Sequence, residues 1–456
     1  MKFKTTLLLF GIFILLFTAL YFFEFRSQGE ENEDAMLISF ASEDVEKIIF
    51  KNDWQTIQFQ REEEEWLITD PIEAKADKYE VNRLADDFSN LRIERVVEEE
   101  PSDLEKYGIP QKEIEFYTKG QDIPIKIQIG IQNPLDNTFF AKKVEEKRVV
   151  LIPSSLKSLL EKKVFDFRQK DIFKFESDQA KSIKLRAKGI QWEAEKEDED
   201  WFLRKPVNAL VQKNKINDIL FALSNLKAKE FVSEEKKDEE IKNYELDKPD
   251  YEVAIDFSAE NRHMTFFIHK KDDKVHATSS ISPKILQVED SILSDLEKEP
   301  GDLRDKEVVD FFTWGVKILQ IKKGEIALKL SKDVEDNWHF EEPALQGADK
   351  EKIQSFLRKL EALKSEEFMD PPLDLADFGL DIPQAEIKIW AGEEEEAPEE
   401  VTIQIGAEDK ESKKVFVKNK RFQYIFKVDS SFLEDFPVRA EDWRSLPETE
   451  KKEEKD

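Results

Sequence analysis

The sequence predicts an α+β fold built from three tandem copies of one module. Trp66, Trp201 and Trp338 recur at spacings of 201 − 66 = 135 and 338 − 201 = 137 residues, and each stands five residues before a proline, Pro71, Pro206 or Pro343. Six residues after each proline come Asp77, Gln212 and Asp349, each opening a stretch whose apolar residues fall at helical spacing. Alternating runs surround that stretch, most plainly Ile123 to Gly130, where every second residue up to Ile129 is isoleucine. A long fixed period marks a repeated supersecondary unit, and this unit combines one 3.6-residue period with several of two.

The N-terminus comes first. Thr5 to Phe23 is an uncharged run of nineteen residues, which at ~1.5 Å per residue spans ~28 Å, about one hydrocarbon core. Lys2 and Lys4 precede it, and Glu30, Glu31, Glu33 and Asp34 follow. That asymmetry predicts a single transmembrane helix in the inner membrane, with the N-terminus inside and the bulk of the chain extracytoplasmic. A cleaved signal peptide is the competing reading, but its apolar region would be unusually long and no Ala-x-Ala site follows. The expected divisions are a cytoplasmic stub at 1–4, the helix at 5–23, a linker at 24–40, modules at 41–176, 177–310 and 311–446, and a disordered charged tail at 447–456.

Each module is expected to open with a strand meander, such as Lys47 to Lys51, Thr56 to Gln60 and Trp66 to Thr69 in the first. An amphipathic helix of about four turns follows. It carries Val81, Leu84, Phe88 and Leu91, then Ile216, Ile219, Leu223 and Leu226, then Ile353, Phe356, Leu360 and Leu363. Asp77 and Asp349 sit where an N-cap belongs, and Asp77 with Glu80 reads as a capping-box pair. A loop comes next, Tyr107-Gly108-Ile109-Pro110 in the first module and Phe378-Gly379-Leu380 in the third. Further strands resume at Ile123 to Gly130, Met264 to His269 and Val401 to Gly406, with Pro124 suggesting an edge or a strand start. A short helix and an apolar-Arg pair close each copy: Phe167-Arg168, Leu303-Arg304 and Trp443-Arg444.

Composition narrows the function. A net charge of −30 repels a phosphate backbone, so nucleic acid is not an expected partner. The absence of cysteine removes disulfides, thiolate metal sites and a Cys nucleophile. No G-x-S-x-G, Walker loop or dinucleotide fingerprint occurs, and no cofactor is expected. The histidines are His263, His269, His276 and His339, and they form neither H-x-x-x-H nor H-E-x-x-H. The acidic runs Glu62 to Glu65, Glu195 to Asp200 and Glu393 to Glu396 lack calcium-loop spacing. The tryptophans offer either core packing or a stacking platform, with core packing the simpler account. Arg168, Arg304 and Arg444 either hold the module junctions through carboxylates or face a partner.

The succession of Trp, Pro, Asp, amphipathic helix, aromatic-Gly-Leu loop and Ile-Gly strand resembles the bacterial domain of unknown function 4340 family. Trp66, Pro71, Asp77, Tyr107, Gly108, Ile129 and Gly130 carry the resemblance in the first module; Trp338, Pro343, Asp349, Phe378, Gly379, Leu380, Ile405 and Gly406 carry it in the third. The second departs, with Gln212 in place of the acid, Glu245 in place of the loop glycine and His269 in place of the strand glycine. The resemblance implies a protein anchored by one N-terminal helix and encoded beside gliding-motility-type ABC transporter components. The function expected is therefore a non-enzymatic accessory or scaffold subunit of such an envelope complex. A glycan- or peptide-binding protein and an uncharacterised hydrolase are the alternatives.

Overall fold

The computed structural model describes residues 36–171, 173–258, 262–392, 397–409 and 411–445. The expected stub, transmembrane helix and charged tail, most of the expected linker, and the run Glu393 to Glu396 lie outside these residues. Among the described residues no helix is long and apolar enough to cross a membrane. The chain divides into two compact units, residues 1–172 and residues 173–456.

The first unit contains one nine-stranded sheet. Strands β1 (Val45–Lys51), β2 (Thr56–Glu62), β3 (Glu65–Asp70) and β4 (Ala74–Lys75) make a meander. The chain then passes through helix α1 (Lys78–Ser89) to the opposite edge, where it lays down β5 (Arg95–Glu98). It returns to the centre as β6 (Lys112–Thr118) and continues through β7 (Ile125–Gln132), β8 (Phe139–Lys143) and β9 (Val149–Ile152) until it meets β5. The resulting order is β4-β3-β2-β1-β6-β7-β8-β9-β5, with antiparallel pairing throughout. Alternation of side chains sends Ile48, Phe50, Ile114, Phe116, Ile127 and Ile129 into a core with Val81, Leu84 and Phe88 of α1. Strand β7 is interior, so Pro124, one residue ahead of it, marks a strand start and not an edge.

The second unit repeats this plan twice. Its first sheet has β10 (Ala180–Ala187), β11 (Ile190–Glu197), β12 (Asp200–Lys205), β13 (Ala209–Leu210), then α2 (Lys215–Ser224) and β14 (Ala228–Ser233), then β15 (Tyr251–Phe257), β16 (His263–Lys271), β17 (Lys274–Ser279) and β18 (Ile285–Val288), in the same order as the first unit. Its second sheet has β19 (Val316–Lys323), β20 (Ile326–Lys332), β21 (Trp338–Glu342), α3 (Lys350–Glu361), β22 (Glu367–Met369), β23 (Ala385–Ala391), β24 (Glu399–Asp409), β25 (Lys414–Asn419) and β26 (Ile425–Asp429). This sheet has eight strands, because the two-residue edge strand seen in the other modules is missing.

The three main helices contain 12, 10 and 12 residues. At ~3.6 residues per turn that is closer to three turns than to the expected four. Leu91, Leu226 and Leu363, placed on the helix by their spacing, lie past its end and are still buried. Each module also begins earlier than its expected boundary. Leu37 and Ile38 are buried in the first core, and the Leu37 and Phe40 amides donate to Leu91 and Ser89 carbonyls at 2.7 and 2.9 Å. Phe173 and Phe175 pack on Phe266 in the second, and Val308 donates to the Leu363 carbonyl at 3.1 Å in the third.

Candidate functional site

The repeated residues converge on the N-terminal end of each main helix. Asp77 accepts hydrogen bonds from the Tyr79 and Glu80 amides at 3.0 and 3.3 Å, and Asp349 does the same for Glu351 and Lys352 at 3.1 and 3.2 Å. These carboxylates satisfy amides that a helix start leaves free. Glu80 does not reciprocate as a capping box would; its side chain pairs with Lys162. The Asp77 amide instead donates to the Phe167 carbonyl at 2.7 Å. Equivalent bonds run from Gln212 to Leu303 and from Asp349 to Trp443, both at 2.8 Å. The module's closing motif is thereby stitched to its helix start, and backbone bridges Ala76 to Arg168, Val211 to Arg304 and Ala348 to Arg444 continue the seam. Gln212 makes no cap: α2 starts only at Lys215, behind Asn214 in a left-handed conformation with φ of 71°.

Trp66, Trp201 and Trp338 are buried. The Trp66 and Trp201 indoles donate to Asn82 Oδ1 and Asn217 Oδ1, at 2.8 and 3.2 Å, five residues past the cap position. The same helical position in the third module is Gln354, and Trp338 Nε1 has no hydrogen-bond partner among the described residues. These asparagines escaped the sequence reading, although their fixed offset from the tryptophans was a usable signal. Pro71, Pro206 and Pro343 follow the tryptophan strands, each after a cis peptide bond.

The loop motif has a steric explanation. Gly108 and Gly379 both take φ of 63°, a conformation that disfavours side chains. A Cβ on Gly130 would lie 2.0 Å from the Tyr107 carbonyl oxygen, and one on Gly406 would lie 2.1 Å from that of Phe378. Tyr107 meets Phe140 in a tilted pair and Phe378 meets Phe416 edge to face, each with ring centroids 5.0 Å apart. In the second module Tyr244 meets His276 at 4.7 Å instead. There Glu245 adopts φ of 56°, and His269 lies 3.4 Å from both Glu245 and Asp250 carboxylates. An imidazole set between two carboxylates stands where the other modules have glycine. Burial depresses the His276 pKa, aided by Lys274 and His269. His263, by contrast, bonds Asp256 at 2.7 Å, and His339 bonds Asp333 at 2.7 Å. Among the described residues no set of three or more potential ligands is placed to hold a metal ion.

The three arginines differ. Arg168 is buried in the first unit. Arg304 is 4% exposed, holds Asp370 through Nη1 at 2.8 and 2.9 Å, and lies with its guanidinium 3.9 Å from the Phe368 ring centroid and 4.4 Å from that of Tyr424. It therefore joins the second and third modules through a carboxylate and two rings. Burial pushes the Tyr424 hydroxyl up to about 12, against the pull of Arg304. Arg444 is exposed, and its Nε donates to the Gln346 carbonyl at 3.0 Å. Beside the Arg304 contact a cleft of about 500 Å³ lies between the modules, with Asp305, Glu307, Asp310, Asn419 and Arg421 among its lining. Burial raises the Asp305 pKa. Asp310 pairs with Arg421 at 3.5 Å and Glu307 with Lys364 at 3.2 Å, so these acids serve ion pairs along the junction.

Residues 66–235, 201–372 and 338–446 each match the family described as a domain of unknown function (DUF4340). The chain belongs to that family. Each matched segment opens on the repeat tryptophan, and the first two run across a module boundary into the helix of the next copy. No curated protein matches the chain. Among solved structures, the DNA polymerase III subunit beta from Pseudomonas aeruginosa aligns over 88% of this chain and 93% of its own at 8% identity, with a TM-score of 0.16. That score carries no argument about fold or function. DUF4340 membership thus rests on three tandem matches, in step with the three sheets.

Proposed function

We propose that this DUF4340 protein is a non-enzymatic extracytoplasmic scaffold subunit, anchored in the inner membrane through residues 5–23, that docks ABC-transporter-like membrane subunits. One observation carries the reading: the residues that recur between copies, including those shared only by the first and third modules, are spent on building the modules or joining them. Asp77 and Asp349 cap helices, Gly130 and Gly406 admit a carbonyl, the tryptophans fill cores, and Arg304 fastens one module to the next. A repeat selected for catalysis would instead present a reactive group at a shared position. The apolar run Thr5 to Phe23, with lysines before it and acids after it, supports the anchor and the orientation. The family resemblance supports the type of partner. Affinity purification of the full chain from its native membrane in mild detergent tests the proposal. Transporter-like membrane subunits are expected in constant ratio to it; a chain recovered alone would refute it.

A further inference from the structure

The third module carries an exposed aromatic pair that its sister modules lack. Phe312 and Trp314 are each 61% exposed, and their rings stack with centroids 5.8 Å apart and planes 14° apart. Phe312 precedes the short turn Thr313–Gly315 that leads into β19, and Trp314 is its middle residue; the same turn precedes β1 as Ser42–Asp44 and β10 as Ser177–Gln179. At the two aromatic positions those modules hold Ala41 and Glu43, and Glu176 and Asp178. The turn therefore forms without the rings, and leaving two large apolar side chains in water brings the fold no gain.

Two neighbouring positions differ as well. The Gly392 amide donates to the Gly315 carbonyl at 3.1 Å, a bond made elsewhere by Lys119 to Asp44 and by Ser258 to Gln179, both at 2.8 Å. Where the other modules carry side chains, this one has two bare backbones. The combined differences form a cleft of about 260 Å³ lined by Phe312, Trp314, Gly315, Gly392, Asp310 and Glu399, among others. Small-molecule sites usually enclose ~300–1,000 Å³, so this one suits a single side chain better than a whole ligand.

We propose that this cleft receives a lysine or arginine side chain from an extended segment of a partner protein. The exposed rings attract a cation through their π faces. Glu399 has no ion-pair partner among the described residues and Asp310 has only Arg421, so the lining offers negative charge to an incoming base. The net charge of −30 draws a basic segment toward the surface at long range. This inference rests on the scaffold reading and names the partner's chemistry.

The test uses the full chain in mild detergent and three labelled ten-residue peptides that differ only in a central Arg, Gln or Glu, with a chitin oligosaccharide alongside. The variant is F312A/W314A, which removes both rings and leaves the charge of the cleft unchanged; the first module already carries alanine, Ala41, at the first of the two positions. Hydrogen exchange of the third module checks its folding. The Arg peptide is expected to bind the native chain at least tenfold more tightly than the Gln peptide, to lose at least tenfold in the variant, and to weaken with salt. Equal binding of Arg and Gln peptides, absence of binding, or undiminished binding to a folded variant would overturn the proposal. Oligosaccharide binding that vanishes in the variant would overturn it in favour of a glycan. If membrane subunits still co-purify with the variant, the cleft assignment fails while the scaffold reading stands; if none co-purify with the native chain, the scaffold reading fails.

Discussion

Replacing Arg304 with alanine would remove the group that fastens the third module to the second. The guanidinium is 4% exposed, reaches both Asp370 oxygens at 2.8 and 2.9 Å, and lies over two rings at 3.9 and 4.4 Å. Breaking a buried pair from one side costs about 3–5 kcal/mol. Asp370 keeps 32% side-chain exposure, so water recovers part of its loss and the lower end applies. Losing the two ring contacts adds on the order of 1 kcal/mol, which brings the expected cost to about 4 kcal/mol. Lysine retains the charge but not the planar fork, so Arg304→Lys should recover less than half of that. Arg444→Ala, at the same place in the repeat but exposed, should cost at most about 0.5 kcal/mol. Hydrogen exchange on the full chain reads the effect locally. At tenfold per ~1.4 kcal/mol, amides in residues 303–310, 367–372 and 422–428 that exchange by opening of this junction should lose protection several-hundredfold in Arg304→Ala. Peptides from the first module should not change. Junction protection within about twofold of the native protein would refute the assigned role of Arg304.

Three further outcomes follow from the differences between copies. The His276 pKa is depressed in the fold from its ordinary 6.5, so its stabilising share is present above that pH and is lost as pH falls through the depressed value. The second module should weaken on acidification below pH ~6.5, and His276→Phe, the residue type of Phe140 and Phe416, should flatten that part of a melting-temperature profile; an unchanged slope would exclude His276 as its source. Asp77→Ala should destabilise the first module by about 1 kcal/mol in urea titration, whereas Gln212→Ala, at a position that caps nothing, should change stability by at most about 0.5 kcal/mol. Gly130→Ala puts a Cβ where the Tyr107 carbonyl stands, 2.0 Å away, and should cost at least about 2 kcal/mol, whereas a melting temperature equal to native would show that the loop yields freely.

Periodicity made the repeat legible. The Trp spacing located all three modules, and the helical positions from Val81 to Leu360 are buried as their spacing implied. What stayed hidden were long-range pairings. No local pattern could show that β6 returns to pair with β1, or that the Phe167 carbonyl would take the Asp77 amide and leave Glu80 free for Lys162. The helix ends were overrun because Leu91, Leu226 and Leu363 keep the apolar spacing after the backbone has turned away. The modules take in residues ahead of their expected starts because Phe40 and Phe175 lie in short straps without a period. Phe312 and Trp314 were visible as letters, but their exposure depends on tertiary packing, and among the described residues nothing covers them.

Because the scaffold reading gives the repeated residues no chemistry of their own, it requires that the chain work as part of an assembly. Native mass spectrometry of the protein extracted from its own membrane in mild detergent tests this most directly. A discrete hetero-complex of fixed stoichiometry, heavier than the 53.5 kDa chain and containing membrane subunits, is the predicted result. A sole species at 53.5 kDa, or multiples of it with nothing else bound, would contradict the account.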